Sequence, residues 1–102
     1  MKFNLTKKDY MTERYDSEVN WKGCNITMSV SMHYHTYLKF WSIHYSLMYG
    51  KNRTYVTPDI KSSKTDTRKS ARLIAVKFMQ NAKIQDVNKL DDFYKKEIKD
   101  AK

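Results

Sequence analysis

A single cysteine, Cys24, leaves no partner for an internal disulfide in these 102 residues, so packing and hydrogen bonds must hold the fold, as suits a reducing compartment. One proline and two glycines are too few for a Gly-rich phosphate loop or a flexible linker, and there is no low-complexity segment or internal repeat. No apolar run is long enough for a signal peptide or a membrane span. The expectation is a cytoplasmic protein that does not enter a membrane. Its Tyr-, Lys- and Asn-rich composition is of the kind that AT-rich bacterial or phage genomes encode, which points to a bacterial cell or a phage-infected host. The Asn-x-Thr triplets at Asn4, Asn25 and Asn52 are what such a composition produces by chance.

Acidic residues are scarce in one place. Between Lys61 and Lys83 stand Lys61, Lys64, Arg68, Lys69, Arg72, Lys77 and Lys83 against Asp66 alone, so this segment carries +6 of the net +9. Residues 1–35 and 36–60 carry only +1 and +2, and 84–102 are neutral. The excess is therefore no uniform solubilising coat. It falls where the apolar pattern of Ala71, Ile74, Ala75, Phe78 and Ala82 begins a helix, and a helix start disfavours cations because its free N–H groups and aligned peptide dipoles are already positive. A polyanion bound there would remove that cost.

Two segments alternate with period two. From Cys24 to His35 the residues Cys24, Ile26, Met28, Val30, Met32 and Tyr34 share one side, and Asn25, Thr27, Ser29, Ser31, His33 and His35 the other. Alternation resumes at Trp41, Ile43, Tyr45, Leu47 and Tyr49 against Ser42, His44 and Ser46. A hairpin with its loop near Thr36 and Tyr37 would set Val30 opposite Ile43 and Met32 opposite Trp41. A slip by one residue would oppose each apolar side chain to a polar one, so the parity of the register is determined while its value is not. Gly50-Lys51-Asn52-Arg53 reads as a turn, and Thr54 to Thr57 as a third strand halted by Pro58.

The flanks read as helices. Thr6 caps one over about Lys7 to Arg14, with Asp9 at its third position and Leu5 stapled to Tyr10. Thr65 or Asp66 caps the main helix, which runs to about Asn81, and a last helix spans about Asn88 to Lys99. The expected fold is α+β, a single domain over 1–102 with its core in about 19–82. A three-stranded antiparallel meander packs on a C-terminal helix, with a short N-terminal helix and a final helix within 84–102.

Two surfaces are candidate sites. The first is basic: Lys61 and Lys64 in a loop over Lys61 to Thr65 and Arg68, Lys69 and Arg72 at the helix start, with Lys51 and Arg53 joining if the meander brings their turn to the same side. Cations, hydroxyls and free backbone N–H groups together hold phosphate oxygens without reading bases. The second is the uncharged strand face containing Asn25, Ser29, Ser31, His33, His35, Ser42 and His44, whose donors and acceptors suit base edges or a partner protein, with Tyr55 or Phe40 able to stack on bases. The same face equally suits burial under a second layer. No metal or other cofactor is expected: His44 lies far along the strand from His33 in the tight-loop register, Cys24 points to the opposite face, and no carboxylate completes a set. Nor is an enzyme, since no nucleophile, base and acid converge.

The segment Thr67 to Met79, TRKSARLIAVKFM, resembles the closing helix of double-stranded-RNA-binding domains, with Thr67, Arg68, Lys69, Ala71, Arg72, Ala75 and Val76 in the matching places. That resemblance implies phosphate contacts from Arg68 and Lys69. The strands and turn of WSIHYSLMYGKNRTYV followed by TRKSAR are similar to the arm-binding amino-terminal domains of phage-type tyrosine integrases, in which a three-stranded sheet enters the major groove with a helix behind it. No recombinase catalytic domain accompanies them in these 102 residues, so an integrase as such is not expected.

The resulting expectation is a small non-enzymatic protein that binds the phosphate backbone of duplex DNA or RNA. The alternative is a phage-type inhibitor or adaptor whose long hairpin augments the sheet of a host protein, or whose basic patch occupies a partner's nucleic-acid channel. A homodimer through the sheet face or edge fits either.

Overall fold

The computed structural model describes residues 2–92 and shows an antiparallel sheet of six strands with helix on one face. The strands are β1 (Asn4–Lys8), β2 (Thr12–Trp21), β3 (Cys24–His35), β4 (Phe40–Tyr49), β5 (Tyr55–Val56) and β6 (Lys61–Thr65), and the helix is α1 (Arg68–Asn81). Turns of 3-10 helix occupy Lys51–Arg53 and Ile84–Asn88, and residues 89–92 are helical. Beyond them, the helix expected to Lys99 lies outside the described residues. The sheet order is β1-β2-β3-β4, with β5 and β6 sharing the outer side of β4. Among the described residues no helix is long and apolar enough to cross a membrane.

The central hairpin forms as the alternation requires, but its register is Met32 opposite Ile43, Val30 opposite Tyr45 and Tyr34 opposite Trp41. The tight-loop pairing of Val30 with Ile43 is thus displaced by two residues. Parity is kept, so the alternating apolar residues from Ile26 to Tyr34 and from Trp41 to Tyr49 stay on the core face, while Phe40 and Met48 lie on the other. The extra length sits in the loop Thr36–Lys39, where Lys39 takes a positive φ of 57° and its N–H donates to His35 O at 2.7 Å.

The N-terminal helix expected over Lys7 to Arg14 is absent, and an antiparallel hairpin of β1 and β2 stands in its place. Thr6 does not cap a helix; its hydroxyl bonds the Asp16 carboxylate at 3.0 Å across the two strands. Asp9 shapes the turn between them by accepting from the Met11 N–H at 2.8 Å. The core-facing residues of β2 are Glu13, Tyr15, Ser17, Val19 and Trp21, set opposite Met32, Val30, Met28, Ile26 and Cys24. A carboxylate and a hydroxyl in that row conceal its period of two. β2 then joins β3 through Lys22 and Gly23, both at positive φ (50° and 80°), the backbone of a two-residue hairpin turn.

The segment Lys61 to Thr65 is likewise a strand and no loop, pairing with β4 from Tyr45 to Trp41. Between β5 and β6 the chain keeps to the same edge: Thr57 exchanges bonds with Leu47 through its N–H (2.9 Å) and hydroxyl (3.0 Å), and the Ile60 N–H donates to Tyr45 O at 2.8 Å. Pro58, which has no N–H to give, occupies the break. Gly50 opens this run with φ of 86°, and a Cβ there would meet the Tyr55 ring at 2.6 Å.

Helix α1 is capped by Thr67, whose hydroxyl accepts from the Ser70 N–H at 3.1 Å, so the cap falls just after Thr65 and Asp66, the expected capping residues. Ala71 and Ala75 are buried against the sheet, with Ile74, Phe78, Met79 and Ala82 packed around them. Small residues at the contact let the helix lie close over Met28, Val30, Met32, Ile43, Tyr45 and Leu47. Val87 and Leu90 extend this core beyond residue 82. The Tyr45 hydroxyl, donating to Asp86 at 2.9 Å, ties the 3-10 turn to the sheet, and burial pushes that hydroxyl's pKa up.

Candidate nucleic-acid interface

The basic cluster is organised by one buried acid. Glu13 is only 1% exposed and lies under the start of α1. Arg72 donates to it through Nε (3.0 and 3.1 Å) and Nη2 (2.5 Å), Arg68 Nη2 lies 3.6 Å away and Lys8 Nζ 4.0 Å. The Arg72 hydrogen bonds hold the Glu13 carboxyl below the usual carboxylate range against a burial effect that would raise it. Tyr15, whose hydroxyl donates to Glu13 at 3.4 Å, is pushed up by burial.

Arg68 is also committed inward. Its Nη2 donates to Asp9 O at 2.6 Å and its Nη1 to Tyr10 O at 3.2 Å, while the guanidinium lies 5.2 Å from the Trp41 ring centre. Its Nε is buried with no partner among the described residues. Arg68 therefore clamps the β1–β2 turn to the helix start. One carboxylate facing Lys8, Arg68 and Arg72 still leaves the group with a surplus of positive charge, and the two guanidiniums remain partly in solvent, with side chains 29% and 45% exposed.

The other cations of the segment are free of ion pairs among the described residues. Lys61 and Lys64 are exposed on β6, Lys64 Nζ sits 5.1 Å over the Phe40 ring, and Lys69 is exposed in the first turn of α1, where no acid stands. β6 and the start of α1 thus carry Lys61, Lys64, Arg68, Lys69 and Arg72, with Arg68, Lys69 and Arg72 together at the helix start. Lys61 and Lys64 point to opposite faces of the strand, Lys61 beside Phe78 and Asn81 near the end of α1 and Lys64 over Phe40. The fold does not bring Lys51 and Arg53 to them. Thr65 pairs with Trp41 at the opening of β4, whereas the Lys51–Arg53 turn follows its other end, roughly 30 Å from Thr65 and roughly 20 Å from Lys61 by the rise per residue. Arg53 is paired there with Glu18.

The strand face expected to be uncharged shares its sheet with β2, which brings Arg14, Asp16 and Glu18 to it. Burial would raise the Asp16 carboxyl, but hydrogen bonds from Arg14, Ser29 and Thr6 outweigh it and hold the group below its ordinary value. Ser29 and Ser42 are buried. His35 Nε2 and Ser42 Oγ are hydrogen-bonded at 2.8 Å, His33 Nδ1 and Thr12 Oγ1 at 3.0 Å, His44 Nδ1 and Asp59 Oδ2 at 2.6 Å, and Asn25 donates to Glu18 at 2.8 Å. Ser31 lies between Arg14 and His44 in the pairing. Most of this face is therefore an internal hydrogen-bond network. Among the described residues no three metal-ligating side chains converge.

A feature that the strand patterns do not announce lies at the β3–β4 loop. Tyr37 is 98% exposed and Leu38 70%, and beside them Tyr10 in the β1–β2 turn is 79% exposed. The signal was there to be read, since Tyr-Leu stands at a hairpin tip where Gly, Asn, Asp or Ser would suit the turn better.

No protein-family model, curated protein or solved structure matches this chain.

Proposed function

We propose that this is a small non-enzymatic nucleic-acid-binding protein that holds a phosphate backbone with Lys61, Lys64, Lys69 and the outer side of Arg72. The observation that carries this reading is the set of three exposed ammonium groups, along β6 and the first turn of α1, that have no carboxylate partner among the described residues. Such an edge attracts a polyanion and gains by counterion release when phosphates replace bound salt. Glu13 supports the reading through rigidity: it fixes Arg68 and Arg72 against the sheet without cancelling their combined charge, so little side-chain entropy remains to be lost there on binding. The likeness of Thr67 to Met79 to double-stranded-RNA-binding helices agrees with phosphate contact at Lys69; Arg68, the other residue in that likeness, has an inward structural role instead.

The alternative of an inhibitor or adaptor for a host protein draws on different features. Both strands of the long hairpin are flanked on each side, β3 by β2 and β4 by β5 and β6, so augmentation would have to use the outer edges, β1, β6 or β5, and β5 is only two residues long, which leaves β1 and β6. Both carry two lysines, Lys7 with Lys8 and Lys61 with Lys64, and lysines on an edge strand discourage strand addition, including the edge-to-edge homodimer. The geometry favours the nucleic-acid reading. An electrophoretic shift series tests it: the wild type should retard DNA or RNA at low salt, and replacing Lys61, Lys64 and Lys69 together with Ser should abolish the shift. Retention of the shift by that variant would remove this surface from the account.

A further inference from the structure

From the geometry at the hairpin ends we infer that the nucleic acid taken by this protein is single-stranded, with unpaired bases stacking on Tyr10 and Tyr37 while the backbone follows the cations of β6 and α1. This inference rests on the nucleic-acid reading above.

Two tips are locked side by side. The Tyr34 N–H donates to Met11 O at 2.8 Å, the Thr36 hydroxyl reaches Met11 Sδ at 3.6 Å, and Arg68 holds the Asp9 and Tyr10 carbonyls from the helix start. The exposed rings of Tyr10 and Tyr37 consequently belong to one rigid end of the sheet, and that end also carries the start of α1. Two open grooves adjoin there. One, of about 300 Å³, is lined by Tyr10, Met11, Tyr34, Thr36 and Trp41. The other, of about 250 Å³, shares Met11, Tyr34 and Thr36 and adds Tyr37 and Leu38.

Rings and cations are paired on both faces of this end. On the helix side Tyr34 and Trp41 lie 5.3 Å apart with Arg68 over Trp41; on the open side His35 and Phe40 lie 4.6 Å apart with Lys64 over Phe40. Lys39 closes the loop between them and is exposed. Aromatic platforms bordered by cations suit a strand whose bases are unstacked and whose phosphates run alongside. A duplex keeps its base faces inside its own stack, so it could use the lysines but would leave Tyr10 and Tyr37 against water. A folded protein partner would also cover these rings, but Lys39, Lys64 and Lys69 have no acid partner among the described residues, which favours a ligand with a regular row of negative charge.

Fluorescence anisotropy with labelled oligo-dT, oligo-rU, a hairpin duplex and an abasic single strand of equal length tests the inference, the dT and rU arms separating DNA from RNA. The wild type should bind at least one base-bearing single strand ten times or more tighter than the duplex or the abasic strand. Tyr10→Ala with Tyr37→Ala should remove that advantage, lowering single-strand affinity at least tenfold and leaving duplex affinity in place, while Tyr10→Phe with Tyr37→Phe should retain it. Lys64→Ala with Lys69→Ala should weaken every nucleic acid alike. Salt-dependent binding with equal affinity for duplex and single strand, or single-strand affinity unmoved by the alanine pair, would overturn the single-strand inference while keeping the nucleic-acid reading. Absence of binding to all four ligands at low salt would overturn both.

Discussion

The Glu13 carboxylate and the Arg72 guanidinium, 59 positions apart in the chain, meet through three contacts of 2.5 to 3.1 Å beneath the start of α1. They join the second strand to the helix across the edge of the core. Glu13 occupies a core-facing position opposite Met32, so its charge is tolerated only because the helix brings cations to it.

The two partners should therefore respond unequally to substitution. Arg72→Met leaves a buried carboxylate with only the more distant Arg68 and Lys8 and should be the more damaging change; Glu13→Gln frees guanidiniums that can turn to solvent and should cost about 1–2 kcal/mol. The double change Glu13→Leu with Arg72→Met replaces the pair by apolar contact and, set beside Glu13→Leu and Arg72→Met singly, should cost less than their sum. Urea denaturation of the variants decides the matter, and losses that simply add would show that the two side chains act independently.

Acid should unfold the protein through the same carboxylate. Glu13 and Asp16 both have folded-state pKa values depressed below their ordinary values of 4.5 and 3.8. A depressed group contributes stability that is fully present above its unfolded-state value and disappears as pH falls through the folded-state value. Stability should thus be level from neutral pH to about 5 and decline below about 4.5. The urea midpoint followed against pH measures this, and Glu13→Gln should flatten the upper part of the decline.

Gly50 and Gly23 both have positive φ, but only Gly50 faces a neighbour, the Tyr55 ring, within contact distance of a new Cβ. Gly23→Ala should cost about 1 kcal/mol for its backbone alone, and Gly50→Ala about 2 kcal/mol or more because strain and clash combine. Thermal melts of the two variants should differ accordingly. Combining Gly50→Ala with Tyr55→Ala should then cost less than the two single changes added together.

How much of this was legible in the sequence depends on where each residue's partners lie. The strands of Cys24 to His35 and Trp41 to Tyr49 announce themselves because their apolar residues alternate locally, and the Ala71 to Ala82 stripe because its period matches a helix. β2 does not, since Glu13 and Ser17 interrupt its core-facing row and the cation that permits Glu13 is supplied by Arg72 from the far side of the domain. β6 is invisible for a related reason: Lys61-Ser62-Ser63-Lys64-Thr65 has no apolar residue, and its strand character comes from the backbone groups that β4 presents to it. Arg68 and Arg72 were legible as a basic cluster, but their engagement with Glu13, Asp9 and Tyr10 was not. Charge pattern shows where cations are and says little about what holds them.

The salt dependence of nucleic-acid affinity tests the central claim most directly. With Lys61, Lys64, Lys69 and Arg72 as the phosphate contacts, a plot of log affinity against log salt concentration for the wild type should be linear with a slope of about −3 on a single strand. Losing Lys64 and Lys69 should reduce that slope to roughly half. A slope near zero, or one unchanged when those two lysines are replaced, would contradict the account.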